Sequence, residues 1–260
     1  MAEGSAAARL RERLRGGPPL VGTFVKLPAL ECIDIAIAAG FDLVVVDAEH
    51  SQLDDDACRA LVRHAAARGL ATLVRMPSLD AGAANRLLEA GATGLQLSSL
   101  RTRGQRDALV AATRYAPGGT RSVSLAHPMA EYSAVPLGPY LERQAADPPV
   151  LVGQIETATN EEPLSEVLRG LDAAFIGTTD LSVDMGRPGK LDDERVRSRV
   201  KDIAAAAERA SVALGAWVAT VEALASLRDV RLRYVLIGSD LQYLRGGLVA
   251  IRAAAAQALA

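Results

Sequence analysis

A single (β/α)8 barrel is the architecture that fits this sequence, and three observations carry the reading. The chain has 260 residues, close to the size at which one such barrel is complete. Short runs rich in β-branched residues recur eight times, and helix-period stretches with capping residues or glycine stops lie between most of them. Half of the residues are hydrophobic, enough to fill a core of that size. An open doubly wound sheet is the competing architecture. It lacks its fingerprint, because no GxGxxG follows the first strand.

The elements follow in order. Residues 1–19 are an N-terminal extension that mixes Ala with Arg and Glu. Leu20–Val25 is the first strand, and Pro28 opens a helix that stops at Gly40. Leu43–Asp47 is the second, followed by a helix from Asp54–Asp56 to Gly69. Residues 71–74 form the third, and Asp80 starts a helix that ends at Gly91. Gly94–Leu97 is the fourth, and the helix over 101–115 stops before Pro117-Gly118. Strands at Val150–Ile155, Ala173–Ile176, 212–218 and 234–237 complete the set, with helices at 159–169, 192–209, 221–227 and 241–259. Residues 117–149 are too long for a simple connection between the fourth helix and the fifth strand. They are expected near the barrel mouth or reaching into a neighbouring subunit. No internal repeat or second domain is visible, so residues 1–260 form one domain.

Composition excludes several classes of function. Twenty-nine Lys and Arg against 31 Asp and Glu leave a net charge of −2, without the basic excess that would attract nucleic-acid phosphates. The longest apolar runs, such as 212–219, fall far short of the roughly 20 residues that cross a bilayer. Cys32 and Cys58 form neither a CxxC nor a zinc pattern, which fits a reducing cytoplasm. The first 19 residues lack the apolar stretch of a signal peptide. The expectation is a cytoplasmic protein with no nucleic-acid or membrane partner.

Acids, bases and cations collect where strands hand over to their following loops, the end at which barrel enzymes keep their chemistry. The first strand runs out in Lys26 and the second in Asp47-Ala48-Glu49-His50. The third runs out in Arg75, the fifth in Gln154 and Glu156, and the sixth in Gly177-Thr178-Thr179-Asp180. Side chains alternate along a strand, so Gln154 and Glu156 share one face and Asp47 and Glu49 share another. Glu156 and Asp180 end adjacent strands, and two hard oxygen ligands with room for water suit Mg²⁺ or Mn²⁺. The plain alternative is a rim salt bridge, for instance Glu156 to Arg75. His50 is the histidine at a strand end, with Asp47, Glu49 or Glu89 available to hold its tautomer; a satisfied rim histidine is the alternative. His64 reads as structural, and His127 is undecided.

The segments Asp47-Ala48-Glu49-His50, Val74-Arg75, Gln154-Ile155-Glu156-Thr157 and Phe175-Ile176-Gly177 through Asp180-Leu181-Ser182 resemble, in order and spacing, the HpcH/HpaI aldolase family of metal-dependent (class II) pyruvate aldolases. The resemblance covers roughly residues 20–240. It implies a divalent cation (Mg²⁺, Mn²⁺ or Co²⁺) on Glu156 and Asp180, with Gln154 beside the bound 2-oxo acid. It implies that Arg75 steadies the carbonyl or enolate oxygen and that His50 belongs to an acid–base dyad with Glu89. Asp47 would be a further rim acid, the backbone at Thr179 and Asp180 would hold the pyruvate carboxylate, and Ser124 or Leu125 would stand at the substrate-carboxylate position. It further implies a homohexamer, a trimer of dimers that exchange the last helix. Two departures concern the walls of the site: Thr178-Thr179 stands where Pro-Ala is usual, and Leu97-Ser98-Ser99 replaces a Val-Pro-Met segment.

The implied reaction joins or cleaves 4-hydroxy-2-oxo acids, with an aldehyde partner, through a pyruvate enolate. A cation and a fixed arginine stabilise such a charge as it forms, and a base must take the 4-hydroxyl proton. A Schiff-base route would need a desolvated lysine nucleophile, for which Lys26 is the one candidate near a strand end. Oxaloacetate decarboxylation or carbon–carbon bond formation in specialised metabolism would use the same enolate, and a non-catalytic barrel that binds oxo acids is the third reading.

Overall fold

The computed structural model describes residues 5–260 and closes eight parallel strands into a barrel. The strands are β1 (Leu20–Val25), β2 (Leu43–Asp47), β3 (Ala71–Met76), β4 (Gly94–Leu97), β5 (Val150–Ile155), β6 (Ala173–Ile176), β7 (Ala213–Val218) and β8 (Tyr234–Ser239). They follow one another around the ring, and β1 pairs with β8 to close it. Outside them run α2 (Glu31–Ala38), α3 (Asp55–Ala67), α4 (Ala81–Ala90), α5 (Arg103–Thr113), α7 (Leu164–Leu168) and α9 (Glu194–Ala210). A 3₁₀ turn, Glu222–Leu227, links β7 to β8 in place of a full helix. The barrel expected from the sequence is the barrel observed.

Local chemistry sets the element ends. The Asp54 and Asp80 side chains accept the backbone N–H of Ala57 and Ala83, which caps α3 and α4. Thr102 and Gln105 form a reciprocal capping box at the start of α5. Gly91, at φ 112°, ends α4 in a conformation that a side chain would oppose. Two apolar layers result. Inside the barrel, Phe24, Val45, Leu73, Val152, Phe175, Tyr234 and Leu236 pack together. Between strands and helices lies the larger layer, which includes Ile33, Leu61, Val62, Leu88, Leu109, Val167 and Ile203.

The described part of the N-terminal extension, residues 5–19, contains the helix α1 (Ala6–Arg15); residues 1–4 of that extension lie outside the described residues. Leu10 and Leu14, one turn apart, are buried with the inner layer and plug the N-terminal end of the barrel. Arg233 fastens the plug by donating to the carbonyls of Arg13, Leu14 and Gly17.

Residues 117–149 correct an expectation. They hold a 3₁₀ turn (Pro128–Ser133) and α6 (Leu137–Ala146), and they lie on the outside of the barrel, not over its mouth. Arg121 donates to Asn85 on α4 at 2.7 Å, Arg63 on α3 donates to Tyr132, and Asp147 pairs with Arg11 of α1 at 3.0 Å. The reason is topological. A connection from a helix to the next strand begins and ends at the N-terminal face, so this segment has α1 and the lower part of α4 as its neighbours. No helix among the described residues is long and apolar enough to cross a membrane.

Candidate active site

The C-terminal ends of the strands surround an open cavity of about 450 Å³. Lys26, His50, Arg75, Gln154, Thr179 and Asp180 line it together with Phe24, Phe175 and Trp217. β-register brings the polar groups together. Asp47 stands opposite Arg75 across the β2–β3 ladder, and Arg75 stands opposite Gln96 across β3–β4. A larger groove of about 550 Å³ lies at the other end of the barrel, beside α1 and α9, away from these strand ends.

Asp47 is fully buried and anchors one side of the rim. Arg75 donates through Nε to its Oδ1 at 2.9 Å and through Nη2 to its Oδ2 at 2.6 Å, while Lys26 Nζ approaches Oδ2 at 2.6 Å. Oδ1 also accepts the backbone N–H groups of Glu49 and His50, both at 3.1 Å. Burial alone would raise the Asp47 pKa, but Arg75, Lys26 and the His50 N–H outweigh it and hold the carboxyl well below the ordinary range. Arg75 is itself buried, its guanidinium 4.3 Å from the centre of the Phe24 ring and its Nη1 3.4 Å from Glu49. The rim salt bridge considered between Glu156 and Arg75 does not form, because Asp47 and Glu49 claim that guanidinium.

Glu156 is organised differently. It is 7% exposed, and its two oxygens accept from neutral groups, Ser99 Oγ and Gln154 Nε2. Gln154 in turn accepts from Gln96 Nε2 at 2.6 Å. Gly177 lets this carboxylate sit close to the β6 end: a Cβ added there would come within 2.5 Å of Glu156 Oε2. Asp180, in the first turn of α8 (Thr178–Asp184), is exposed and lines the cavity. Among the described residues neither Glu156 nor Asp180 has a cationic side chain within ion-pair distance. No cluster of three His, Cys, Asp or Glu at metal-binding spacing occurs there either. A cation at these two carboxylates would therefore complete its shell with water and ligand oxygens, as Mg²⁺ and Mn²⁺ commonly do. The donor set fits.

His50 is exposed at the rim, with Nε2 3.7 Å from Glu49 Oε2. Glu89, expected beside it, is elsewhere: it accepts from Asn85 and faces an exterior cavity between α3 and α4 that also contains His127. Helices run antiparallel to their strands, and position 89 is one residue from the end of α4, so a single chain places it away from the mouth. Ser124 is likewise exposed on the 117–149 segment, its carbonyl accepting from His127 Nε2 at 2.9 Å. His64 pairs with Asp34 at 2.9 Å on the outer helices. Sequence reasoning missed Gln96, and it noted Ser98 and Ser99 only as departures from a pattern. Ser98 donates to Glu49 at 2.6 Å and Ser99 donates to Glu156, so both serines make rim contacts.

A family model described as HpcH/HpaI aldolase/citrate lyase matches residues 20–246. A hydroxypyruvate/pyruvate aldolase of Deinococcus radiodurans is 36% identical over 179 residues, 68% of this chain and 64% of that protein. A 4-hydroxy-2-oxo-heptane-1,7-dioate aldolase of Salmonella dublin is 30% identical over 247 residues, 94% of this chain and 92% of that one. An HpcH/HpaI aldolase/citrate lyase family protein of Burkholderia cenocepacia superimposes with a TM-score of 0.86 at 26% identity, covering 97% of this chain and 99% of that one. The citrate synthase SbnG superimposes at 0.82, also at 26% identity, over 95% and 97%. The match runs from the first barrel strand into the last helix and takes in every strand that contributes to the rim, so the chain belongs to the HpcH/HpaI aldolase/citrate lyase family and is an enzyme of its aldolase and lyase type.

Proposed function

We propose that the enzyme is a metal-dependent (class II) aldolase that cleaves or forms 4-hydroxy-2-oxo acids through a pyruvate enolate. One contrast carries the reading. Buried Asp47 has two protein cations, whereas Glu156 and Asp180, at adjacent strand ends, have none among the described residues. A buried carboxylate is normally paired or bound to metal, which singles out Glu156, and Asp180 is the exposed carboxylate at the neighbouring strand end. A divalent cation (Mg²⁺, Mn²⁺ or Co²⁺) held by Glu156 and Asp180 would supply Lewis-acid polarisation of the oxo acid.

The remaining roles belong to the protein. Gln154 and the backbone at Thr179 and Asp180 orient the oxo acid. Arg75, locked by Asp47, offers a fixed positive charge to the oxygen on which enolate charge grows, and it needs no reorganisation to do so. His50 takes the 4-hydroxyl proton, directly or through water, with Glu49 as its acidic neighbour. Lys26 is tied to Asp47 at 2.6 Å and donates to the His50 carbonyl at 3.0 Å, so it is a paired ammonium and a poor Schiff-base nucleophile. Turnover of a panel of 4-hydroxy-2-oxo acids, with released pyruvate coupled to lactate dehydrogenase, tests the reading. Pyruvate from at least one supports it; none from any member of a broad panel refutes it.

The similarity to a citrate synthase favours a second reading, bond formation or decarboxylation on the same enolate. Pyruvate formed from oxaloacetate without any aldehyde would support that one. The reading also includes assembly. Helix α10 (Asp240–Ala258) has no buried residue, and Leu241, Leu244, Leu248 and Ile251 leave an apolar stripe exposed. A second copy of the chain, exchanging this helix within a hexamer, is its proposed cover.

A further inference from the structure

The end of β4 carries polar groups that the proposed mechanism does not use. Gln96 is fully buried inside the barrel, and Ser99 lies two residues after the end of that strand at Leu97. Their contacts all converge on the cation and oxo-acid side of the rim. Gln96 Nε2 donates to Gln154 Oε1, Gln154 Nε2 donates to Glu156 Oε2, and Ser99 Oγ donates to Glu156 Oε1.

The direction of this chain of hydrogen bonds is dictated by chemistry. Glu156 Oε2 accepts from Gln154 Nε2, so Gln154 presents its NH₂ group to it. Gln154 then faces Gln96 with its carbonyl, so Gln96 must present NH₂ in turn. That leaves Gln96 Oε1 buried without a partner. A barrel interior does not retain an unpaired acceptor for packing alone, since an apolar side chain of the same size would avoid the cost. Ser99 adds a second sign of constraint. Its φ of 49° is left-handed, uncommon for a residue other than glycine, asparagine or aspartate, and that conformation sets its hydroxyl on Glu156.

We propose that Gln96 and Ser99 are positioning residues: together they fix the Glu156 carboxylate for the cation and aim the Gln154 amide N–H at the oxo acid. Each Glu156 oxygen already accepts one hydrogen bond, and the carboxylate plane is pinned from both sides. Groups that orient a metal ligand in this way commonly contribute ten- to a hundredfold to metal affinity. The proposal rests on the reading of Glu156 as a cation ligand, and the test separates the two.

Binding of Mn²⁺ without substrate is titrated by the electron paramagnetic resonance of the free ion, in the wild type, Glu156→Gln, Ser99→Ala, Ser99→Asn and Gln96→Leu. Thermal unfolding of each is recorded alongside. The expected result is loss of binding in Glu156→Gln and about tenfold or more weakening in Ser99→Ala with an unchanged melting point. Ser99→Asn, which tolerates the left-handed backbone and keeps a donor, should recover most of the loss. Gln96→Leu should fold at least as well as the wild type yet raise KM for the oxo acid about tenfold, with kcat less affected. Wild-type Mn²⁺ affinity in Glu156→Gln would overturn the ligand reading and the proposal with it. Loss of binding in Glu156→Gln but wild-type affinity in Ser99→Ala and unchanged KM in Gln96→Leu would overturn the proposal alone.

Discussion

Replacing Asp47 by Asn should destabilise the barrel by about 3–5 kcal/mol, the usual cost of removing one partner from a buried ion pair. The carboxylate is fully buried, receives both donors of the Arg75 fork, and touches the Lys26 ammonium. An amide of the same shape keeps one acceptor but no charge. Two cations then stand together, with Glu49, 3.4 Å from Arg75, as partial compensation. At about 2–4 °C per kcal/mol for a domain of this size, the melting point should fall by about 6–20 °C. The acid limb should change as well. A carboxyl held below its ordinary pKa contributes stability that is complete above about pH 4 and is lost as pH falls toward its folded value. The wild type should therefore lose stability below about pH 4 with a slope that Asp47→Asn lacks, up to about 1.4 kcal/mol per pH unit. Urea unfolding from pH 7 down to the acid limb, in both proteins, measures both effects. A variant within about 0.5 kcal/mol of the wild type at pH 7 would refute the reasoning, because surface-like substitutions give changes that small.

Further outcomes follow from the same geometry. Arg75→Ala should lower kcat by about a hundredfold, roughly 3 kcal/mol in the barrier, and Lys should rescue only in part; an unchanged kcat with raised KM would assign Arg75 to binding alone. His50→Ala should cut aldol cleavage by about a hundredfold while oxaloacetate decarboxylation, which has no 4-hydroxyl proton to remove, survives much better; equal losses in coupled assays would contradict its role as base. Gly177→Ala should displace the Glu156 carboxylate and abolish cation binding in a Mn²⁺ titration, since the new Cβ would lie 2.5 Å from Oε2; retained binding would contradict the crowding argument. Leu248→Glu on α10 should dissociate the proposed assembly in light scattering, and an unchanged mass would reject that face as the interface.

The barrel was legible because the strands are compact apolar runs, most of them with β-branched residues, separated by helix-period stretches, and Asp54, Asp80 and Gly91 act as the sequence indicates. The strand ends were harder to read. Gly238 looks like a stop, yet β8 continues through it to Ser239, whose side chain then caps α10. Residues at the C-terminal ends of strands could be placed at the rim because strand alternation and barrel polarity fix where they go. Two residues assigned away from the strand ends sit elsewhere in one chain: Glu89 lies one residue from the end of α4, and Ser124 lies on a connection tied to the opposite face of the barrel. Helix polarity contained that information. The Asp47–Arg75 lock depends on register across two strands, and the Gln96–Gln154–Glu156 chain on register across β4 and β5. Neither register is written in one strand alone.

The central claim, that Glu156 and Asp180 hold a catalytic cation, is tested most directly by turnover after exhaustive chelation. Cleavage of a 4-hydroxy-2-oxo acid is followed through pyruvate release in the chelated enzyme, then after addition of Mn²⁺, Co²⁺ or Mg²⁺. The predicted result is loss of turnover on chelation and recovery with at least one of the three ions, with no recovery in Glu156→Gln. Full turnover in excess chelator would contradict it.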